Sequence, residues 1–458
     1  MQIFGSSGTR GRVGTEFTPE FVVGIAAAAA TELDAARIAI GRDTRTTSPT
    51  FADAAAAGVA GIGTDVARLG VVPTPGVARY CAEHGVPGIV VTASHNPPAY
   101  NGIKLLGADG SGLSVATLER VESHLLNESF DRAGWETVGT RTRVSGAADA
   151  YADDVIAALD GDSVAEADLT VAVDPGHGAG CDVAPRVYRE LGCEVVTLNA
   201  QPDGRFPGRS PEPVPDELRD LERLVRARDA DVGVAHDGDA DRAVFVDETG
   251  TVVPAEASLA ALAERAATAG DTVVSAVNVS QRLVDACERV GAQLELTPIG
   301  ATNITTRVQE LWDEGRRVPL AGEGNGGVFY PDYRLARDGA FVAGKFLELL
   351  AETDRTASEI AGRYADYHAV RHNLGYDTEA DRDAMLAAAE RFAERERREA
   401  AAEITTIDGY RLDYGDAWVL VRPSGTEPKV RVYAESDDPE RAAELADAAR
   451  DALRSAVE

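Results

Sequence analysis

A chain of 458 residues with 44% hydrophobic content is too long for one compact core and should divide into roughly three or four domains of about 100–150 residues. Its 76 acidic residues outnumber 45 basic ones, and the formal net charge is -31. Such a field repels nucleic acid and anionic membranes, which excludes both as expected partners.

In chain order, the opening MQIFGSSGTRGRVG lacks an apolar signal stretch, which implies a cytoplasmic location. Arg10 and Arg12 lie there in a turn-like loop, as does Arg45 in GRDTRTTSP; beside glycines in an acidic chain, such arginines suit an anionic ligand. For Arg12 and Arg45, surface pairing with the excess carboxylates is the simpler expectation. Thr18-Pro19 marks a helix start, and the Ala-rich run Phe21–Ala30 behind it is too short to span a bilayer. The segment from Arg37 to Gly70 then reads strand, loop, helix, glycine, strand. The same pattern returns in Leu169–Asn199 and Thr272–Gly300. Each is a βαβ unit building parallel strands under helices, so three related α/β domains are expected in sequence.

The strand-like GIVVTA leads into TASHNPPAYNGIK, Thr92–Lys104. Prolines and Asn-Gly fix a rigid loop, and ligands bind beyond the carboxyl ends of strands in such sheets. Ser94 is therefore a candidate nucleophile, though it needs a base or metal to activate it; His95 and Lys104 can hold or move protons. DPGHGAG, Asp174–Gly180, lacks the Gly-Lys-Ser/Thr ending of a phosphate loop and reads as a tight strand–helix turn. In VGVAHDGDADRAVFVDE, Asp237, Asp239 and Asp241 alternate with small residues between apolar flanks. Three carboxylates so close repel one another unless a hard divalent cation joins them, and oxygen ligands favour Mg²⁺, Mn²⁺ or Ca²⁺. An EF-hand is excluded, because its sixth position would be Arg242 rather than glycine and its flanks are strands.

Further on, LAGEGNGGVFYP sets Glu323 and Asn325 among glycines, a carboxylate and an amide suited to sugar hydroxyls. A charged helical stretch, Ala384–Ile404, precedes AWVLVRPSGTEPKVRVYAE, two strands and a glycine-containing loop, with a last helix near Pro439–Ala456. Arg422, Ser424, Gly425 and Thr426 suit a phosphate, with Arg431 adding charge from the next strand. This tail is a smaller α+β unit. The expected domains are 1–150, 151–252, 253–365 and 366–458. The four cysteines, Cys81, Cys181, Cys193 and Cys287, have no metal-ligand spacing and read as reduced core residues.

Taken together, TASHNP, DGDADR, GEGNGG and RPSGTEP closely resemble, in order, the signature loops of the α-D-phosphohexomutase superfamily, over essentially the whole chain. The resemblance implies three similar mixed-sheet α/β domains and a smaller C-terminal α+β domain around a central cleft. It implies that Ser94 carries a phosphoryl group and that Asp237, Asp239 and Asp241 hold Mg²⁺, with a phosphoserine oxygen of Ser94 completing the site. A sugar monophosphate would be converted through a bisphosphate, with sugar 1,6-bisphosphate as activator. Arg10 and Lys104 would flank the transferring group, Lys104 as a candidate base, while His95 shapes the loop and Arg242 places the phosphoserine. Glu323 and Asn325 would read the sugar; Arg422, Ser424, Gly425 and Thr426 would grip the other phosphate. A hinge near residue 366 would open and close the cleft.

One departure is that many bacterial members end the sugar loop with Ser-Gly-His, where this chain has Asn325-Gly326-Gly327. That form resembles archaeal members acting on glucosamine, mannose, glucose or pentose phosphates, and phosphoglucosamine mutase is the favoured reading. Among the basic residues only Lys104, Lys345 and Lys429 are lysines, a pattern similar to proteins of salt-loving archaea that implies a need for high salt. A monomer or homodimer is expected. The rival classes are a metal-dependent sugar phosphatase and a non-catalytic sugar-phosphate sensor. A hydrolase needs no second phosphate grip, and a sensor would tolerate loss of Ser94 or an aspartate.

Overall fold

The computed structural model describes residues 3–5, 8–424 and 428–457. Each of the three repeated patterns forms its βαβ unit. In the first, strand Arg37–Arg42 leads to helix Ser48–Ala60 and strand Asp65–Val71. The six-stranded sheet runs, in space, Thr9–Arg12, Tyr100–Leu106, Gly88–Val91, Arg37–Arg42, Asp65–Val71, Arg141–Arg143. Its last four strands are parallel and its first two antiparallel. Thr18 caps helix Pro19–Leu33 by accepting from the Phe21 N–H, and the Ala-rich run forms the buried face of that helix.

The second sheet is four-stranded, Ala243–Asp247, Val232–His236, Thr170–Asp174, Glu194–Thr197, with the first pair antiparallel and the rest parallel. The third has the order Gln293–Thr297, Thr272–Ala276, Leu320–Glu323, Gly327–Tyr330, Arg334–Arg337, parallel across its first three strands and antiparallel beyond. These two sheets share one apolar core, in which Tyr151, Val171 and Tyr188 join Phe245, Leu259 and Phe346. Parallel strands buried on both faces explain why their sequences are continuous apolar runs.

The fourth sheet is wholly antiparallel: His368–Gly375, Lys429–Ser436, Ala417–Pro423, Tyr410–Asp413, Glu403–Thr405. Strand alternation separates its faces. Ala417, Val419 and Val421 pack under helices Glu379–Glu399 and Pro439–Arg454, while Trp418 and Leu420 pack on Val277 of the third unit. The chain is thus four units of mixed or antiparallel sheet with helices. Among the described residues, no helix is long and apolar enough to cross a membrane.

Candidate active site

Ser94 stands just past strand Gly88–Val91, at the carboxyl end of the parallel strands. It is fully buried, in the left-handed backbone region at φ 51°. A non-glycine residue there costs roughly 1–2 kcal/mol and persists only where its surroundings fix it. The surroundings here centre on one side chain that sequence reasoning placed on the surface. Arg45 is buried completely. Its Nη2 donates to the carbonyls of Ser94 (2.9 Å) and Asn96 (2.6 Å), its Nη1 to those of Pro97 (2.8 Å) and Tyr100 (3.0 Å), and its Nε to Asp43 (3.0 Å). The Phe206 ring lies 5.2 Å from the guanidinium carbon. Arg12, in contrast, is exposed as expected.

Ser94 Oγ donates to Asp237 Oδ2 at 2.7 Å, which joins the serine loop to the turn between antiparallel strands Val232–His236 and Ala243–Asp247. The close approach requires Gly238, where a β-carbon would lie 2.5 Å from the Ser94 carbonyl oxygen. Asp237, Asp239 and Asp241 are buried and offer carboxylate oxygens that all lie within 4.8 Å of one another. Lys104 Nζ bridges Asp239 (2.6 Å) and Asp241 (2.7 Å), Thr74 donates its hydroxyl to Asp239, and Arg337 donates to Asp241 at 2.8 Å.

These cations leave a defined residue of unmet need. Among the described residues, Asp239 Oδ1 and Asp241 Oδ1 make no hydrogen bond although both are buried. Buried carboxylate oxygens without partners are costly. With Asp237 beside them they form an all-oxygen donor set fitting a hard divalent cation. Burial, and then repulsion from Asp241 and Asp239, pushes the Asp237 carboxyl up to about 7. Burial also works to raise Asp241, yet Arg337, Lys104 and Arg242 together hold it well below the usual carboxylate range.

Arg10, on strand Thr9–Arg12, bonds the Asn96 side chain at 3.0 Å and reaches the His95 ring at 3.3 Å; Arg242 donates to His95 Nδ1 at 3.0 Å. Burial, with Arg242 and Arg10 alongside, pushes His95 well below the usual imidazole range, so the ring is neutral and accepts from Arg242. Glu323 closes the strand Leu320–Glu323; Arg337 Nη1 lies 3.5 Å from its carboxylate, and the Asn325 amide also lies 3.5 Å from it. One guanidinium therefore links Glu323, at the start of the glycine-rich loop, to the triad.

The structure thus brings together Arg10, Ser94, His95, Lys104, the three aspartates, Arg242, Glu323 and Asn325. Sequence reasoning missed Thr74 and Arg337. Arg422 and Arg431 are cross-strand partners on the fourth sheet, Arg422 pairs with Asp408 at 3.0 Å, and Ser424 follows directly after strand Ala417–Pro423. Gly425 and Thr426 lie outside the described residues.

A serine held against a triad of carboxylates, with several cations around both, on three mixed-sheet units and a fourth, defines a phosphoryl-transfer enzyme of four-domain architecture. The models of phosphoglucomutase/phosphomannomutase α/β/α domains I, II and III match residues 1–132, 149–250 and 255–367, and that of the C-terminal domain matches 378–452. The chain belongs to the phosphoglucomutase/phosphomannomutase family, whose members are phosphomutases and hence isomerases. It is 38% identical to the "Probable phosphoglucosamine mutase" of Methanopyrus kandleri, over 99% of this chain and 98% of that one. It is 36% identical to the phosphoglucomutase/phosphomannomutase of Thermococcus kodakarensis, over 97% and 96%. A solved family protein from Burkholderia thailandensis superposes with a TM-score of 0.86 at 27% identity, over 99% and 97%.

Proposed function

We propose that this phosphohexomutase interconverts sugar 6-phosphates and 1-phosphates through a phosphorylated Ser94 and a sugar 1,6-bisphosphate, with glucosamine phosphate as its favoured substrate. The observation that carries the reading is the Ser94 hydroxyl, held in a strained conformation 2.7 Å from Asp237, with Lys104 on the other triad carboxylates and Arg10 and Arg242 on the neighbouring Asn96 and His95. Phosphoryl transfer depends mainly on in-line positioning and charge neutralisation, which such an arrangement supplies. In the first half, the Oγ–P bond of phosphoserine breaks as a sugar hydroxyl oxygen bonds to phosphorus and gives up its proton. In the second, the bisphosphate's other phosphoryl group returns to Ser94 Oγ, and the serine proton passes to the released sugar oxygen.

Asp237, Asp239, Asp241 and a phosphoserine oxygen would hold Mg²⁺, which when bound neutralises charge on the transferring group. Lys104, in contact with Asp239 and Asp241, would carry the proton to or from the sugar oxygen. Arg242 and His95 orient the serine loop, with Arg10 beside them. Glu323 and Asn325 take the ring hydroxyls, and Arg422, with Ser424 and Arg431 near it, takes the distal phosphate. Domain limits at 150, 252 and 365 and a hinge near residue 366 belong to this reading.

The test is ³¹P NMR in high salt with Mg²⁺ and a trace of sugar 1,6-bisphosphate. The 6-phosphates of glucosamine, mannose and glucose, and ribose 5-phosphate, are offered separately. A growing 1-phosphate signal, largest for glucosamine, is expected. Free phosphate alone would replace the mutase reading with hydrolysis.

A further inference from the structure

Gly327 is where the sugar loop lacks a side chain, and the space is not empty. A β-carbon at Gly327 would lie 2.6 Å from Arg337 Cδ and 3.0 Å from its Nη1. Arg337 comes from a different strand, Arg334–Arg337, and its side chain is only 5% exposed. It enters the space beneath the loop and ends between two acids: Nη2 is 2.8 Å from Asp241 and Nη1 is 3.5 Å from Glu323. The same side chain lines a small cavity with Thr74, Lys104, Asp241, Ala301 and Thr302. Among the described residues, Arg337 is the cation paired with Glu323, while Asp241 has Lys104 as well.

We propose that Arg337 is a specificity-determining residue, which offsets the charge of Glu323 and so keeps the ring site open to neutral as well as amino sugar phosphates. The inference rests on the reading of Glu323 as the residue that faces the sugar. A bare buried carboxylate at that position would attract a sugar ammonium group far more strongly than a hydroxyl. The guanidinium beside Glu323 cancels most of that difference, and it can do so only because position 327 carries no side chain.

The experiment compares kcat/KM for glucosamine 6-phosphate with kcat/KM for glucose 6-phosphate in one preparation, so the fraction of folded enzyme cancels. Arg337→Met should raise the glucosamine-to-glucose ratio about tenfold, even as loss of the Asp241 contact lowers both rates. Arg337→Lys retains the charge and should leave the ratio within about twofold of the parent. Gly327→Ala displaces the guanidinium without removing it and should shift the ratio in the direction of Arg337→Met. Where Arg337→Met turns over too slowly, calorimetric binding of the two sugar phosphates gives the same ratio. A ratio unchanged in Arg337→Met, with both substrates slowed equally, would overturn the proposal and leave Arg337 serving Asp241 alone. If the parent enzyme turned over neither sugar, the proposed preference for glucosamine phosphate would fail, and the binding ratio would still decide the role of Arg337.

Discussion

Arg45 uses all five N–H groups of its guanidinium, one on Asp43 and four on carbonyls of the loop that carries Ser94. A lysine can supply charge to that site but not a planar fork reaching four carbonyls. Arg45→Lys should therefore let Ser94 relax from its left-handed conformation, and kcat should fall about 100-fold with KM little changed, because misplacing a reacting atom by an ångström costs that much. Steady-state kinetics on the folded variant check this; an unaltered kcat would mean that the prolines alone hold the loop. Sequence reading put Arg45 on the surface because, in so acidic a chain, pairing with the excess carboxylates was the simpler expectation. What buries it is a loop about fifty residues later and the ring of Phe206, neither visible from its neighbours. Its place just after an apolar strand, where ligand sites form, was the signal available. Ser94 and the aspartates were legible for the opposite reason. Their chemistry is local: a constrained loop, and carboxylates too crowded to exist without a cation. Arg337 carried no comparable mark in YRLARDG, since only the packing of three strands directs it to the triad.

The turn that bears the triad is held from behind by His236, the last residue of strand Val232–His236. Its Nδ1–H donates to the Arg242 carbonyl at 2.8 Å, and Nε2 accepts from the Tyr188 hydroxyl at 2.9 Å, an arrangement only the neutral ring allows. Burial pulls the imidazole down from 6.5 to about 4. The unfolded chain therefore binds the extra proton between those values. The neutral ring's contribution, up to about 3 kcal/mol, is complete above pH about 6.5 and disappears as pH falls through 4. Urea unfolding of the metal-free protein at pH 7.5 and at 5 should show the parent losing more stability than His236→Asn does; equal losses would assign the acid sensitivity elsewhere. The βαβ units were readable because strands buried on both faces form uninterrupted apolar runs, and helix starts such as Thr18-Pro19 are marked. The fourth sheet was half readable. Ala417–Pro423 is an apolar run buried on both faces and Lys429–Ser436 alternates over its first residues, but His368–Gly375 is mostly exposed and becomes a strand only by pairing along Lys429–Ser436.

Across the whole molecule, two populations of charge behave differently. Buried charges brace the site's turn and tie one unit to another. Arg209 holds Asp174 (2.9 Å) and the His236 carbonyl (2.6 Å) under the triad turn. Arg282 binds the Tyr364 carbonyl at 2.5 Å and pairs with Glu435 at 3.4 Å, while Arg411 donates to the Val277 carbonyl at 2.7 Å, so the fourth unit is latched to the third. Salt screens such pairs little. The exposed population carries the excess, a net charge of -31, and its self-repulsion opposes compaction. Exposed arginine–carboxylate pairs such as Arg219–Asp216 and Arg223–Asp220 recover at most about 1 kcal/mol each. Raising KCl from about 0.1 M to about 1 M shortens the screening length from about 10 Å to about 3 Å. Repulsion among exposed carboxylates should then fade while the buried ties persist, and calorimetry should record a Tm higher by several degrees. A Tm that stayed level or fell would show that the exposed pairs, rather than the net charge, dominate the surface electrostatics of this fold.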